Sequence, residues 1–349
     1  MAYTTIDDPS AYFQTVLWTG NGSARSITLD GNSDMQPDWV WLKRRNSARN
    51  HALLDSVRGG TKQLISNSTA VEGTDAQLIT SFDSDGFSLG TSNDCNSSGD
   101  TFVGWNWLAG GTASSNTDGS ITSSVSANTT AGFSIVSWTG NGSNGATIGH
   151  GLGVTPAIVI TKRRSAVGDW LVGGSLIDTV RGGANSLLLL NGNNAMDSNS
   201  EVYQTFSSTT FQVGTNEYAN TSGSTMISYC FAEKKGYSKF GSYTGNGNAD
   251  GPFIYTGFKP AWLLAKKSSG TADWFLIDNK RSTINPTNHQ LEANSSAAED
   301  ASGRFDFLSN GFKCVSSSTG SNGSGTTYIY MAFAESPLVT STGIPATAR

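Results

Sequence analysis

The chain is expected to be all-β, built as three tandem antiparallel β-sandwich domains of jelly-roll or lectin-like layout related by an internal repeat. Three observations lead there. The pentapeptide WTGNG stands at 18–22, recurs at 138–142 and returns as YTGNG at 243–247. The runs that follow alternate apolar residues with a period of two, the signature of strands. Composition agrees: 41 glycines and abundant Ser, Thr and Asn accompany only 14% charged residues and 10% aromatics. Disorder depletes aromatics, whereas tight turns between strands need glycine and amides.

Aligning the pentapeptides brings the rest into register. Pro37, Pro156 and Pro260 open the runs PDWVWLKRR, PAIVITKRR and PAWLLAKKS. DSVRGG at 55–60, DTVRGG at 178–183 and DNKRST at 278–283 come next. Then follow SFDSDGFSLGT, TFSSTTFQVGT and DFLSNGFKCVS, and each segment closes on GDTFVGWNW, GSTMISYCF or GTTYIYMAF. Five landmarks in one order, three times, mark a tandem array. In the first run Trp39, Trp41 and Lys43 share one face and Val40 and Leu42 the other. Strands apolar on both faces belong between two layers. WTGNG reads as a strand end and a turn in which Gly and Asn supply positive φ and an Asn or Thr side chain bonds back to the backbone. Six to eight strands per segment are expected. Helix signals are weak, with one short turn expected within 294–305.

The expected division is residues 1–108 for an N-terminal arm and the first sandwich, 133–235 for the second and 236–336 for the third. Between the first two, 109–132 is Ser/Gly/Thr-rich and reads either as a linker or, through Ile121 and Val125, as an edge strand. Only eight residues separate Phe231 from Phe240. The second and third segments therefore sit in fixed contact within a rod, and the first is more mobile where the linker is undocked. Residues 337–349 form an extended tail, because prolines disfavour other conformations.

A net charge of −5 leaves no basic excess to neutralise phosphates, which excludes nucleic acid as the main partner. No apolar run approaches the ~18 residues of a membrane span, and no secretory signal is visible at the N-terminus. Cys95, Cys230 and Cys314 fall at unmatched places and suggest neither a disulfide framework nor a zinc site, as in a chain folded in a reducing cytoplasm. No cofactor or metal is expected. FDSDG at 82–86 has half the carboxylates of a calcium loop and reads as a hairpin turn. The histidines 51, 150 and 289 occupy different points of the segments, no nucleophile elbow is present, and catalysis is not expected.

The polar constellation that recurs is Asp55 with Arg58, Asp178 with Arg181 and Asp278 with Arg281. An arginine beside each acid keeps it ionised and unfit as a general acid, so these pairs read as structural clamps. The basic runs at 43–45 and 162–164 read as solvated strand ends or as contacts to acidic partners. Most of the nine tryptophans belong in the core. Trp170 and Trp274, each after a Lys/Arg run, read as half-buried and open to stacking on a glycan.

YTGNG, GFKPAWLLAKKSSGTADWFLIDNKR, FDFLSNGFK and YIYMAFAESP, with the opening MAYTTIDDPSAYFQT and closing TSTGIPATAR, resemble an uncharacterised repeated β-domain family of tailed bacteriophages, marine ones especially. The resemblance covers nearly the whole chain; the first segment departs most, ending VGWNWLAGG. It implies a virion structural protein assembled in the bacterial cytoplasm, without an established activity to carry over. The expectation is a non-enzymatic, surface-exposed tail fibre, spike or adhesion component. The alternatives are a capsid decoration or head-fibre protein, or a carbohydrate-binding module. Expected partners are other virion proteins, further copies of the chain as a trimer that covers edge strands, and a host surface glycan.

Overall fold

Strands that are apolar on both faces need a layer on each side, and the architecture answers that need. The computed structural model describes residues 2–347. The last two residues of the expected tail lie outside the described residues.

One four-strand order is laid down three times. In the first segment Phe13–Thr19 pairs with Thr101–Trp107, which pairs with Trp39–Arg44 and then Ala52–Asp55. In the second the order is Phe133–Thr139, Thr225–Phe231, Ile158–Arg163, Trp170–Gly173. In the third it is Ser238–Thr244, Thr327–Pro337, Phe258–Lys267, Trp274–Asp278. Every pair is antiparallel. A second, smaller set of strands covers one face each time: Arg25–Thr28, Gly86–Leu89 and Ile79–Asp83, then Ala146–Gly149, Thr210–Val213 and Tyr203–Phe206. In the third segment the covering strands Asp300–Leu308, Gly311–Cys314 and Phe253–Tyr255 continue the main sheet through Thr287–Glu292. The eight-stranded sheet then curls back over itself as a near-barrel.

The two faces of each main sheet feed two different cores. Val40, Leu42, Leu54 and Phe102 point into a core private to the first segment. Val159, Leu171 and Met226 do so in the second, and Leu263, Phe275 and Tyr328 in the third. Residues one position along point the other way. Trp39, Trp41, Trp105, Trp107, Ile158, Ile160, Trp170, Tyr229, Trp262, Leu264, Trp274 and Phe333 join in a single central core shared by all three segments. Trp39 stacks on Tyr229 at 4.4 Å, Phe13 on Phe333 at 5.3 Å, and Phe231 meets Phe333 edge-on at 6.1 Å, one contact for each pair of segments. Burying each such side chain contributes roughly 1.5–3 kcal/mol.

The arrangement therefore differs from the expected rod. The segments close on one another, and the first is in contact with both others. Residues 109–132 are docked: Ser114–Asn116 and Ser123–Asn128 extend the second segment's sheet beside Phe133–Thr139, and Ile121 and Val125 are buried. No helix forms within 294–305, where Asp300–Leu308 is a strand; the longest helix is Ser175–Arg181. The tail does not stay extended. Val339 bridges Pro345, Thr340 and Ile344 exchange hydrogen bonds, and Ser341 donates to Asp7 of the N-terminal arm at 2.6 Å through its backbone N–H. Tyr3 in turn donates to Gly257 O and Thr4 to Lys235 O, and Leu338 N to Gly257 O, so arm and tail lie on the third segment and its joint with the second.

The thrice-written turn has a fuller explanation than a hairpin. A one-turn helix follows each covering hairpin, and its last residue is a fully buried asparagine: Asn96, Asn220 and Asn322. Asn220 accepts from Asn141 N at 3.0 Å and donates to Ser143 O and Gly214 O at 2.8 and 3.1 Å. Asn96 and Asn322 make the same bonds to Asn21, Ser23 and Gly90, and to Asn246, Asn248 and Ser316. The first glycine of TGNG is required by this close approach, since a Cβ on Gly140 would lie 2.3 Å from Thr221 O. The second, Gly142, has φ +71°. The asparagine between them keeps negative φ, contrary to expectation; its carboxamide accepts from the backbone two residues on, as Asn141 does from Ser143 at 2.8 Å.

Asn220→Ala removes one acceptor and two donors from buried backbone partners. It should cost about 2–4 kcal/mol, read as a lower urea midpoint with unchanged slope; a loss below about 0.5 kcal/mol would contradict the clamp.

Candidate functional site: the seams between segments

The residues matched three times in the sequence converge on three seams, and the seams form a cycle. A loop of the first segment lies along the second: Glu72 N donates to Arg164 O at 3.0 Å, and Gly168 N to Thr69 O at 2.9 Å. A loop of the second lies along the third in the same way, through Met196 N to Ser268 O at 2.8 Å and Ala272 N to Asn193 O at 3.0 Å. A loop of the third returns to the first, through Glu299 N to Arg45 O at 2.7 Å and Arg49 N to Ser296 O at 2.8 Å.

Trp170 and Trp274 belong to these seams. Each is buried, at 0% and 2% exposure, and donates its indole N–H across the seam, to Ile65 O at 2.8 Å and Leu189 O at 2.9 Å. The expectation of a glycan contact is corrected here, because neither ring has a face open to a ligand. In the first segment the matching residue is His51, opposite Lys43 as Trp170 is opposite Lys162. Trp41 donates to its Nδ1 at 2.8 Å, so the ring proton sits on Nε2 and is donated to Glu292 O at 3.0 Å. Burial first, and the Lys43 charge second, depress its pKa from 6.5 to about 3.

The first and last residues of the basic runs lie at the seams, which corrects their reading as solvated ends; Arg44 and Arg163 between them bond within their own segments. Lys43, Lys162 and Lys266 are each 0% exposed. Lys162 Nζ donates to Thr69 O at 2.9 Å, and Lys266 Nζ to Asn194 O at 2.9 Å and Lys267 O at 2.7 Å; Lys43 Nζ reaches Arg44 O at 2.7 Å. Burial pushes all three ammonium groups down to about 8.

Two of the three acid–arginine pairs stand as ion pairs. Arg58 Nε meets Asp55 at 2.5 Å and Arg281 Nε meets Asp278 at 2.6 Å, with all four side chains closed off from solvent. Each pair is extended into a relay. Arg58 also reaches Glu72 at 3.1 Å, and Glu72 meets Arg164 of the next segment at 2.8 Å. Arg281 reaches Glu299 at 3.0 Å, and Glu299 meets Arg45 at 2.8 Å. An aromatic from across the seam completes each: Tyr229 donates to Asp55 at 2.7 Å, and Trp105 to Asp278 at 2.9 Å. The Arg58 charge is held well above its usual range: burial opposes it, and Asp55, Tyr229 and Glu72 together outweigh that cost.

Asp178 and Arg181 do not pair. Four more residues separate Trp170 from Asp178 than separate Trp274 from Asp278. The position opposite Ile158 that corresponds to Asp55 is taken by Gly174, where a Cβ would lie 2.1 Å from Ala157 O. Asp178 and Arg181 lie on the Ser175–Arg181 helix. Asp178 accepts from Ser186 N at 2.9 Å, and Arg181 donates to Ser198 Oγ at 2.9 Å. This seam has no ion pair: Lys266 is held by carbonyls alone, Ile177 and Met331 lie in the shared core, and Met196 stands where the others have glutamate.

Glu72, Glu299, Tyr229 and Trp105 were not singled out by sequence reasoning, nor was His51 as a seam residue. The glutamates sit in loops of different length without a repeated motif; only the shared KRR run pointed near them. The remaining singled-out groups are accounted for locally. Cys95, Cys230 and Cys314 are free and buried, and burial lifts the thiols of Cys95 and Cys314 to about 12. FDSDG is the hairpin between Ile79–Asp83 and Gly86–Leu89, with the Asp83 carboxylate accepting from Ser81 and Ser88. A depression of about 220 Å³ lies between the first and third segments above Phe13, with Asp30 and Lys280 paired beside it at 2.9 Å. Among the described residues no cluster of three or more metal-ligating side chains occurs, and no helix is long and apolar enough to cross a membrane.

Arg58→Met leaves Asp55 buried without its counter-ion and should cost about 3–5 kcal/mol. Asp55→Asn together with Arg58→Met should recover part of that loss in urea unfolding; equal losses would argue against the ion pair. The pH dependence follows from His51. At and above pH 6.5 its full contribution is present. As pH falls from 6.5 towards 3 the unfolded chain binds a proton that the folded chain refuses, so stability declines. Between pH 6.5 and 4 the decline due to this group is on the order of 3 kcal/mol, and His51→Gln, which can accept from Trp41 and donate to Glu292, should remove it. An unchanged acid slope in the variant would place the sensitivity elsewhere.

No curated protein and no solved structure matches the chain. One family model does, across residues 8–337, so that a single unbroken match spans all three sequence segments and the strands between them. By that match the chain belongs to the family described as a domain of unknown function, DUF7483.

Proposed function

We propose that this chain is a non-enzymatic structural protein on the surface of a tailed-phage particle, a tail-fibre, spike or adhesion component. In this reading it is three tandem copies of one jelly-roll-like sandwich module closed into a ring. The observation that carries the structural reading is the use made of the thrice-matched residues: the tryptophans, lysines and acid–arginine pairs are spent on the seams, buried and bonded to one another. Such a body is a stiff mount for loops rather than a cleft around a reacting atom. The particle assignment rests on the resemblance of YTGNG, FDFLSNGFK and YIYMAFAESP to repeated domains of phage structural proteins. Further copies of the chain, as a trimer, would cover the outer edge strands.

Immunogold electron microscopy of washed particles with an antibody to this chain tests the assignment. Label at the tail is expected; label on the head supports the decoration alternative, and particles without label overturn the proposal.

A further inference from the structure

We infer that the outer face of the third segment carries a saccharide-binding platform built on Phe253 and Tyr255, a site additional to the seams and to the structural role proposed above. These two rings are the most open large aromatic side chains among the described residues, at 46% and 53% exposure. They alternate with buried Ile254 on the strand Phe253–Tyr255 and so project to one side of it, away from the third segment's core.

Their surroundings are amphipathic. Across the three covering strands Phe253 stands beside Lys313 and Lys313 beside Asp306, while Tyr255 stands beside Gly311. Gly311 offers no side chain, and the Phe253 ring leans over it, with a ring carbon 3.0 Å from where a Cβ would be. The Tyr255 hydroxyl lies 3.3 Å from that of Tyr3, and the Lys313 ammonium pairs with the open Asp250 carboxylate. The patch thus has two apolar ring faces bordered by hydroxyls, one ammonium and two carboxylates, an excess of one negative charge. A pyranose has the complementary shape: an axial C–H face that lies on an aromatic ring and equatorial hydroxyls that bond at its edge. The excess carboxylate favours a neutral hexose over an acidic one.

The chain supplies its own control. Register places Ser26 and Thr28 of the first segment, and Thr147 and Gly149 of the second, where the third has Phe253 and Tyr255. Those faces are finished with polar pairs instead: Ser26 with Ser88 at 2.9 Å, and Thr205 with Gln212 at 3.1 Å. The strand therefore folds without aromatics at these positions. Two large rings left open to water in one copy are not demanded by the scaffold.

The full chain is tested by biolayer interferometry against immobilised gluco-, galacto- and manno-configured neutral oligosaccharides. Binding to at least one of them is expected. It should fall at least about tenfold, the scale of one lost ring contact, in the double variant Phe253→Ser, Tyr255→Thr, which installs the first segment's residues, with the thermal midpoint unchanged. Tyr255→Thr alone should weaken binding in the same direction and serves if the double variant does not fold. Failure of the unmodified chain to bind any of these sugars, or undiminished binding by the variants, overturns the inference. Because the assay uses the isolated chain, its outcome is independent of the particle-labelling result.

Discussion

The constraint on which the molecule depends is that each of its main sheets is apolar on both faces. A small covering set of strands can protect only one of them. The other carries Trp39, Trp41 and Trp105, or Ile160, Trp170 and Tyr229, or Trp262, Trp274 and Phe333, far too much apolar surface to leave in water. Three such faces turned towards a common centre protect one another, and a closed cycle leaves none uncovered. A rod of the same segments would expose part of every one.

That choice brings polar groups with it. Strand ends that would be solvated in an isolated sandwich are enclosed at the seams, where an unpaired charge or donor is costly. The chain meets this with short-range partners for nearly every one: carbonyls for Lys162 and Lys266, glutamate relays for Arg58 and Arg281, indole-to-carbonyl bonds for Trp170 and Trp274. The seam between the second and third segments reaches the same end without an acid–arginine relay, by placing a helix and methionines where the others place one. The two solutions are consistent with the small net difference expected between a well-paired buried ion cluster and well-packed apolar groups. His51 is the exception in kind. It is the one titratable ring in a position the other segments fill with tryptophan, and it adds to the closing seam an acid sensitivity of its own, beside that of the paired glutamates.

Much of this was legible in particular residues. Val40 and Leu42 against Trp39 and Trp41 announced two cores, because a strand's side chains must alternate. The glycines of TGNG announced a left-handed turn, which Gly142 makes; the close approach that requires Gly140 was not declared by the sequence. What misled was reading a segment as if it ended at its own surface. Lys43 looks like a solvated strand end, and Trp274 like a half-open platform, only until a neighbouring segment's loop is laid over them. Asp178 misled for a different reason: LIDTVRGG matches LLDSVRGG at six of eight positions, but four additional residues place it on a helix, and the backbone position that matters is Gly174.

From the sequence alone came the all-β class, the alternation that orients every central strand, and the threefold repetition of one set of landmarks. Each is set by local rules, the period of two and the conformations open to glycine and asparagine, which act within a few residues. The tertiary structure decided that the segments close into a cycle, which of the paired acids and arginines are buried, and which aromatic rings remain in water. Those outcomes depend on surfaces distant in the chain meeting one another, and a loop such as the one bearing Glu299 has no periodicity to declare where it will land. Burial is a property of the partner as much as of the residue, which is why Trp274 is enclosed while Tyr255 of the same segment stands open.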